Sequence, residues 1–418
     1  MPRSRISPVG RRRTSPARLS ERSGNRSLNR PSPESLAVRN NSFQTSMQMN
    51  ACPQLTGVPT PKQLGIPAEK RVAVVACHVW EGSNGYAGAR ALKRLGWEVR
   101  LANEFEFVPA QWRSTVLRVA GRALRSAAVR EYGRHIYHLV RESGAHLFLA
   151  FKGTFVPAEV IRKLRADGVL TICHYPDVSA TAHGVWLRRN LPEYDWVFTA
   201  KSFGVADMAR ELGVTRASVL LHGFDPEVHR PSNAVAQSSL DKCDVSFIGT
   251  WSQSKERTLA LLRERLPHVR LRVWGNRWEN CRDEVLRTSL ELRSVVGQEY
   301  ATAIQSSFIN LGLLSEKVAG ASQGDQVTSR TFHLPAAGGL MLHKRTEEFL
   351  KLFDDRVDAF TFGSDEELIE NVRGILDGKV DSQSVQQAGT RKVWSRDSWD
   401  HRMASMLLHP VFDSLRQA

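Results

Sequence analysis

The chain has 418 residues, long enough for two domains, and 41% of its residues are hydrophobic, as in globular proteins. No apolar run reaches the roughly 18 residues that cross a bilayer, and no apolar stretch follows the N-terminal arginines, so neither a transmembrane helix nor a secretory signal is expected. The five cysteines have no disulfide-framework or metal-site spacing, which favours a reducing cytoplasm and no structural zinc.

The net charge of +15 is concentrated at the N-terminus. Residues 1–68 contain ten arginines and one lysine against Glu21 and Glu34, a balance of +9, which leaves +6 for the other 350 residues. Such a polar segment buries too little apolar area to fold, so we expect a disordered basic tail. Three interpretations stay open: a tail without a partner, a start codon placed too far upstream, or an arm that contacts anionic lipid or acidic polymers.

Predicted strands and helices alternate in the first half. An apolar run at 71–77 leads into a glycine-bearing loop at 81–86, a helix that stops at Gly96, and a strand at 97–101, which is a βαβ unit. Further strands are predicted at 146–151, 169–173, 195–200 and 218–222, with helices near 115–143, 157–167 and 202–212. This alternation predicts a parallel, doubly wound sheet.

The same pattern starts again after the proline- and glycine-rich stretch 222–231, which predicts a domain boundary near residue 225. Strands are predicted at 244–249, 269–275, 308–313, 339–343 and 358–362, and helices at 255–266, 366–376 and 394–408. The fold class is therefore α/β, with two Rossmann-like doubly wound domains at 69–225 and 226–393. Ligands of such sheets bind at the carboxyl ends of the strands, in the cleft between the domains.

The most informative stretch is 325–342, where an acid, two hydroxyls and an arginine precede a predicted helix start and a small-residue run. Free backbone N–H groups and the helix dipole at such a start attract a diphosphate. Asp325 and Arg330 would supply opposite charges for different parts of a polar ligand. The stretch predicts an enzyme that handles a nucleotide-linked substrate.

Four motifs together resemble those of glycosyltransferases of the GT-B fold. They are F-D-P-E-V-H-R-P (224–231), D-V-S-F-I-G-T-W (244–251), S-R-T-F-H-L-P-A-A-G-G (329–339) and W-S-R-D-S-W-D-H-R-M (394–403). The chain looks most like the group named after spore-maturation proteins, related to the large family 4 of retaining enzymes. The resemblance covers about residues 70–410. It implies an acceptor domain at 69–225, a donor domain at 226–393 and a terminal segment, 394–418, that packs back on the first domain.

The resemblance implies that two acids eight positions apart contact the donor sugar and the ribose. The first maps to Asp325, and the second falls on His333, where the family pattern has glutamate. A neutral histidine can still hydrogen-bond a ribose hydroxyl, and restoring glutamate is expected to preserve or improve donor binding. The alternative for His333 is a helix-start residue without a ligand.

Thr328, Ser329 and Arg330 lie between these two positions and are implied to bind the diphosphate. The alternative for Arg330 is a surface or interdomain ion pair. Gly338 and Gly339 are implied to border the donor, or simply to allow close packing of helix and strand.

Two loops of the second domain are implied to complete the donor site. Gly249 and Trp251 follow its first strand, and Arg257 either reaches the diphosphate from the next helix or pairs with a neighbouring glutamate, Glu256 or Glu264. Gly275 and Asn276 follow the second strand and would border the base pocket.

The acceptor side is assigned to two segments of the first domain. Gly82, Asn84 and Gly85 lie in the loop after the first strand, and His174 and Asp177 lie at or just after the end of a later strand. His174 or Asp177 would hold or deprotonate an acceptor hydroxyl. In retaining enzymes of this fold the donor phosphate can take that proton instead, and Asp177 is then a loop cap.

The sequence therefore predicts a bacterial hexosyltransferase that moves a sugar from a nucleotide-diphosphate sugar to a glycan, lipid or protein acceptor. No cofactor is expected, and because no D-x-D follows a predicted strand, no metal is expected either. The protein would be cytoplasmic or peripheral to the inner face of a membrane. The rivals are a sugar-nucleotide epimerase, a non-catalytic nucleotide-sugar-binding protein, and a nucleic-acid binder, whose affinity would be steeply salt-dependent and lost without residues 1–68.

Overall fold

The strands form two parallel sheets, one in each half of the chain. The computed structural model describes residues 53–108, 115–231 and 240–417. The strands of the first half are β1 (Val72–Cys77), β2 (Glu98–Asn103), β3 (Leu147–Phe151), β4 (Leu170–Tyr175), β5 (Trp196–Thr199) and β6 (Ala217–Val219). Those of the second half are β7 (Cys243–Ile248), β8 (Leu271–Trp274), β9 (Ser307–Gly312), β10 (Met341–Lys344) and β11 (Phe360–Phe362).

Helices connect these strands and follow the last of them. The first half has α1 (Asn84–Arg94), α2 (Glu104–Phe107), α3 (Thr115–Ser143), α4 (Ala158–Ala166), α5 (Val185–Asn190) and α6 (Gly204–Leu212). The second has α7 (Gln253–Arg265), α8 (Glu284–Arg287), α9 (Gly297–Gln305), α10 (Arg330–Ala336), α11 (Glu347–Leu350) and α12 (Asp365–Leu376). The C-terminal helices are α13 (Ser382–Trp394), α14 (Trp399–Leu408) and α15 (Asp413–Arg416), and short 3₁₀ turns lie at Ala68–Lys70, Leu191–Glu193, Trp278–Asn280 and Pro410–Phe412.

Both sheets are doubly wound, as predicted. The strand order is β2-β1-β3-β4-β5-β6 in the first sheet and β11-β10-β9-β7-β8 in the second, and every ladder is parallel. Parallel strands covered by helices on both faces read as continuous apolar runs, and β3 is buried at every position. The order reverses beside β1 and beside β7, and at such a switch point the helices leave on opposite faces and open a crevice for a ligand.

The predicted helix 394–408 is interrupted, which corrects the sequence-based expectation. Residues 395–398 leave the helix because the chain pairs there with the segment that joins the two halves. Phe224 N–H donates to Asp397 O (3.1 Å), and Trp399 N–H donates to Phe224 O (2.8 Å). Ser398 then starts α14 with a capping box to His401. The predicted strand 218–222 shortens to β6 for the same reason, since its second half runs into this crossing.

Helix α14 packs against α1 of the first half. Trp399 is fully buried and meets the Phe151 ring edge-on at 5.4 Å. Arg94 on α1 holds the Asp400 carboxylate through two hydrogen bonds of 2.7 and 2.8 Å. The end of the chain is therefore part of the first half's core, so both halves are joined twice, at Phe224 and through α14.

Residues 53–68 are not part of a tail, which corrects the predicted boundary at residue 68. Leu64 and Ile66 are 2% and 1% exposed and belong to the core cluster that contains the apolar face of α14. The Thr56 carbonyl accepts a hydrogen bond from His401 Nε2 (2.7 Å). Residues 1–52 lie outside the described residues, so the proposed basic arm stays a prediction. In the ranges described, no helix combines the length and the apolar character that a membrane span requires.

Truncation of one side chain tests this attachment. Leu64→Ala is expected to lower the free energy of unfolding by about 2 kcal/mol, because it leaves a cavity in a buried cluster. Urea unfolding measures the loss, and Gln63→Ala, at the exposed neighbour, is the matched control. An unchanged free energy of unfolding for Leu64→Ala would contradict the packing.

Candidate active site

A cavity of about 220 Å³ opens between the halves, at the carboxyl ends of β7 and β8. The first half contributes Trp80 and Gly82, and the joining segment contributes His229. Of the residues predicted from sequence, the cavity brings together Gly82, Gly249, Gly275, Asn276, Ser329, Arg330 and His333. We call it the cleft cavity.

Two glycines allow the loops of this cavity to touch. Gly275 has φ +137°, and a Cβ there would lie 2.1 Å from the carbonyl oxygen of Gly249. A Cβ on Gly249 would in turn lie 2.9 Å from Arg330 Nη1. A side chain at either position would push the loops apart. The absence of side chains at Gly249 and Gly275 therefore allows the Arg330 guanidinium to lie beside the end of β7.

Arg330 is a cation without a carboxylate partner. Its guanidinium lies over the Phe247 ring at 5.4 Å, and Nη2 donates to the Leu313 carbonyl oxygen (2.8 Å). Its Nε is buried without a hydrogen-bond partner, and within the described ranges no acid lies within ion-pair distance. Burial lowers its pKa, yet an arginine stays charged in proteins. The predicted alternative of an ion pair is therefore wrong, and the half-buried positive charge is left for an anion.

Lys255 is a second such cation, which the sequence-based analysis missed. It is 4% exposed, and Nζ donates to Thr250 O (3.2 Å) and Ser315 Oγ (3.1 Å). Burial and then the charge of Arg330 lower its pKa to about 8. No acid of the described chain pairs with it. The burial of Lys255 could have been predicted from the sequence, because Lys255, Leu259 and Leu262 have the i, i+4, i+7 spacing of one helix face.

Arg257, predicted for this role, lies on the outer side of α7. It is exposed and lines neither cavity described here. The alternative of a salt bridge to Glu256 or Glu264 is not formed either, as judged from the described side chains. Trp251 lines neither cavity. Its indole N–H donates instead to Glu256 Oε2 (2.7 Å).

Asp325 lies apart from the cleft cavity and is held by the first half. Lys201, just after β5, donates from Nζ to Asp325 Oδ1 (2.5 Å), and the two side chains are only 5% and 8% exposed. Asp325 and Lys255 line a second cavity of about 330 Å³, at the carboxyl ends of β9 and β10. Lys201 had no signal in the sequence.

The two hydroxyl residues before α10, Thr328 and Ser329, have different surroundings. Thr328 is 7% exposed and its Oγ1 is buried without a partner, while Ser329 lines the cleft cavity. Helix α10 has only seven residues, so the predicted helix dipole is weak. Gly338 (φ +80°) and Gly339 line neither cavity. A Cβ on Gly339 would lie 2.5 Å from Ile304 Cγ2, so its role is packing.

His333 is fixed by the joining segment. Its Nε2 donates to the Gly223 carbonyl oxygen (3.2 Å), and its ring stacks on His229 at 3.8 Å. His229 Nδ1 accepts the N–H of Asp225 (3.0 Å). Burial, and for His333 the neighbouring His229, holds the pKa of His333 well below its usual range and lowers that of His229 to about 3. Both rings are therefore neutral at pH 7. His333 does not only start a helix, as the alternative had it, because it also lines the cleft cavity and contacts the joining segment.

This stack predicts a loss of stability in acid. The folded pKa values are below the ordinary 6.5, so the unfolded chain takes up protons first as the pH falls, and the stabilisation present above pH 6.5 is lost toward pH 3. Each ring is expected to contribute about 1 kcal/mol of loss between pH 6.5 and 5.5. Urea unfolding at both pH values measures it. His229→Gln should remove about 1 kcal/mol of this loss, the share of one ring, and an equal slope would contradict the assignment.

The structure does not bring His174 into the cleft, which corrects its prediction as a base. It is fully buried, Nε2 donates to Leu220 O (3.0 Å), and the ring meets Trp399 edge-on at 5.3 Å. Burial lowers its pKa to about 4. Side chains alternate along β4, and His174 points toward the helix layer that contains α14.

Asp177 lies in the acceptor side but is already engaged. Its Oδ2 lies 2.7 Å from Lys152 Nζ and 2.9 Å from His183 Nε2. Burial raises the pKa of this carboxyl, but the His183 hydrogen bond and the Lys152 charge outweigh it and hold the pKa below the usual range. An ionised carboxylate that is held by a lysine and a histidine is a poor proton acceptor, so Asp177 orders the loop.

Of the remaining acceptor-side predictions, only Gly82 (φ +90°) lines the cleft cavity. Asn84 Oδ1 accepts from Trp399 Nε1 (3.3 Å), and its Nδ2 lies 3.4 Å from His222 Nδ1. A Cβ on Gly85 would lie 2.6 Å from Cys77 Cβ. Asn84 and Gly85 therefore serve packing at the join of the halves.

The chain was compared with known protein families and with solved structures. Residues 253–408 match a family described as glycosyl transferase-like. The structure is similar to sucrose-phosphate synthase from Thermosynechococcus elongatus (12% identity, 80% of this chain and 97% of that chain, TM-score 0.58). It is also similar to a glycosyltransferase from Rickettsia africae (11% identity, 83% of this chain and 99% of that chain, TM-score 0.55). A third similar structure is Anabaena HepE in complex with UDP and glucose (10% identity, 84% of this chain and 100% of that chain, TM-score 0.51). No curated protein has a significant sequence match. The two sheets and their cleft are the GT-B fold, as the motifs implied.

Proposed function

We propose that this protein is a glycosyltransferase, which moves a sugar from a nucleotide-diphosphate sugar to an acceptor hydroxyl. The observation that carries the proposal is a pair of cations, the half-buried Arg330 and the buried Lys255, neither of which has a carboxylate partner among the described residues. A diphosphate would neutralise both and accept the hydrogen bond that Arg330 Nε lacks.

The comparisons support the same function. The glycosyl transferase-like match, residues 253–408, contains both cations. HepE, a structural neighbour, is described with UDP and glucose bound. Our finer proposal is a member of the group named after spore-maturation proteins, related to family 4, with a retaining, metal-independent reaction.

In this reaction the protein mainly orients the donor and stabilises its leaving group. The base would occupy the cleft cavity beside Gly275 and Asn276, and the diphosphate would lie between Arg330 and Lys255. As the glycosidic bond breaks, negative charge develops on the departing phosphate, where fixed cations in a site with little water stabilise it. The glycosyl unit would then extend toward Asp325.

The acceptor proton goes to the departing phosphate in this proposal. His174 is fully buried, and Asp177 is engaged by Lys152 and His183, so neither predicted base is placed to take it. Transfer to the phosphate on the same face of the sugar is consistent with retention. The acceptor is a hydroxyl of a glycan, a lipid or a protein.

A thermal-shift screen with UDP, GDP, ADP and their glucose conjugates tests donor binding. At least one compound is expected to raise the melting temperature, by an amount that grows with its concentration. Release of free nucleotide only with an acceptor present would show transfer. Conversion of the sugar without release would favour the epimerase, and binding without turnover would favour the non-catalytic protein. No shift with any of the six compounds would refute the proposal.

A further inference from the structure

A buried ion pair crosses the cleft and connects the two halves at the second cavity. Lys201 follows β5 of the first half, and Asp325 lies between β9 and α10 of the second. Lys201 Nζ lies 2.5 Å from Asp325 Oδ1 and also donates to Val327 O (3.3 Å). At 5% and 8% exposure both charges have left water.

The pair leaves one carboxylate oxygen of Asp325 open to a ligand. Within the ranges that the structure describes, Lys201 is the one side chain that bonds this carboxylate, and it bonds Oδ1. The backbone of Asp325 is fixed separately, because its N–H donates to Ser315 O (2.9 Å). Since Asp325 lines the second cavity beside Lys255, its Oδ2 is the acceptor available there.

Attachment of the segment to the first half does not require Lys201. Asp207 Oδ2 on α6 accepts from Ser322 N (2.7 Å) and Ser322 Oγ (3.1 Å). Ser179 Oγ donates to the Ala319 carbonyl oxygen (2.8 Å). Replacing a buried ion pair by two apolar side chains of similar size often leaves the stability of a protein unchanged or raises it. Stability of the fold alone therefore does not account for the charges of Lys201 and Asp325.

We propose that Lys201 is a positioning residue, which turns the Asp325 carboxylate so that Oδ2 accepts a hydroxyl of the donor's glycosyl unit. The sugar part of the donor site is then completed by a charged side chain of the first half. This inference rests on the proposed function. It assigns a role to a residue 124 positions from its partner in the chain.

The test compares the affinity for a nucleotide sugar with that for the free nucleotide. Dissociation constants of UDP-glucose and UDP, or of the GDP or ADP pair if the wild type prefers it, are measured by calorimetry. Lys201→Met is expected to reduce the ratio Kd(UDP)/Kd(UDP-glucose) by about 10-fold, the value of a hydrogen bond to a charged group, while Kd for UDP changes less than about twofold. Asp325→Asn should have the same effect, and combining the two changes should add little.

Three further variants separate positioning from folding. Asp207→Ala removes the other anchor of the same segment and should leave the ratio unchanged. Lys201→Arg keeps the charge and should retain part of the ratio. Lys201→Met with Asp325→Leu makes an apolar pair that should restore the melting temperature but not the ratio.

The outcomes distinguish this inference from the proposed function. If Lys201→Met weakens UDP and UDP-glucose equally, or leaves their ratio unchanged, the positioning role is refuted and the glycosyltransferase proposal stands. If Asp207→Ala lowers the ratio as much as Lys201→Met does, attachment of the segment explains the effect and the inference is again refuted. If the wild type binds none of the six compounds, the proposed function fails, and the inference fails with it.

Discussion

Arg330→Ala is expected to lower kcat/KM for the donor by about 100- to 1000-fold, the range for removing one preorganised donor from a developing negative charge. The structure gives the reason, because the half-buried guanidinium lies beside Gly249 without a carboxylate partner in the described chain. Most of the loss should appear in kcat, since charge on the departing phosphate is greatest in the transition state. The melting temperature without ligand should fall little, because the substitution also removes a half-buried charge that has no carboxylate partner among the described residues.

Steady-state kinetics with the best donor of the nucleotide screen measure this effect. Lys255→Ala is expected to lower kcat/KM in the same direction. The matched control is Arg257→Ala, two residues further along α7, where the side chain is exposed and outside both cavities. Arg330→Lys should recover only part of the activity, because an ammonium cannot form the two-pronged contact of a guanidinium. Unchanged kinetics for Arg330→Ala would remove it from the site.

The sheets were predictable because parallel strands buried on both faces leave a direct record in the sequence. Leu147–Phe151 is buried at every position and reads as a short apolar run. Cys243–Ile248 is also buried throughout, although Asp244 and Ser246 interrupt its apolar residues. Strands and helices also alternate in the order that a doubly wound sheet requires. The break before Trp399 left no such record, since it depends on pairing with Phe224, 175 residues earlier in the chain.

The site was predictable only where one loop carries its own chemistry. Ser329 and Arg330 were predicted together because they are neighbours in the chain, and both line the cleft cavity. The contact of Lys201 with Asp325 joins the two halves and has no local pattern. Lys255 was missed in favour of Arg257 because both are basic residues at the start of one helix. Only the face of the helix separates them, and that face is defined by the buried leucines that follow.

His333 shows how tertiary contacts explain a departure from a family pattern. The resemblance has glutamate at this position, but the structure places a backbone carbonyl, Gly223 O, within hydrogen-bond distance of His333 Nε2. A carbonyl accepts and does not donate, so it suits an imidazole N–H and repels a carboxylate. His229 stacks on the other side and is itself neutral, so it cannot pair with an acid. The charge of Arg330 acts on this position, since it lowers the pKa of His333, but Arg330 is the cation proposed to bind the diphosphate.

His333→Glu is therefore expected to destabilise the protein by about 1 to 3 kcal/mol, because the Gly223 carbonyl loses its donor and faces a buried carboxylate that Arg330 compensates only in part. This reverses the expectation from the family pattern, in which glutamate would preserve or improve donor binding. The side chain at this position is 6% exposed, so water cannot solvate the introduced carboxylate. Donor affinity should fall as well, since the rim of the cleft cavity that His333 forms with His229 would be displaced.

Urea unfolding and calorimetry with the best nucleotide measure the two effects. His333→Gln is the matched control, because its amide is neutral, can donate to Gly223 O, and should cost only about 1 kcal/mol. The gap between the two variants should narrow as the pH falls toward 5, since a protonated carboxyl can also donate to that carbonyl. If His333→Glu instead kept the wild-type stability and bound the donor more tightly, the joining segment would have to move away from α10, and the histidine stack would lose its assigned role.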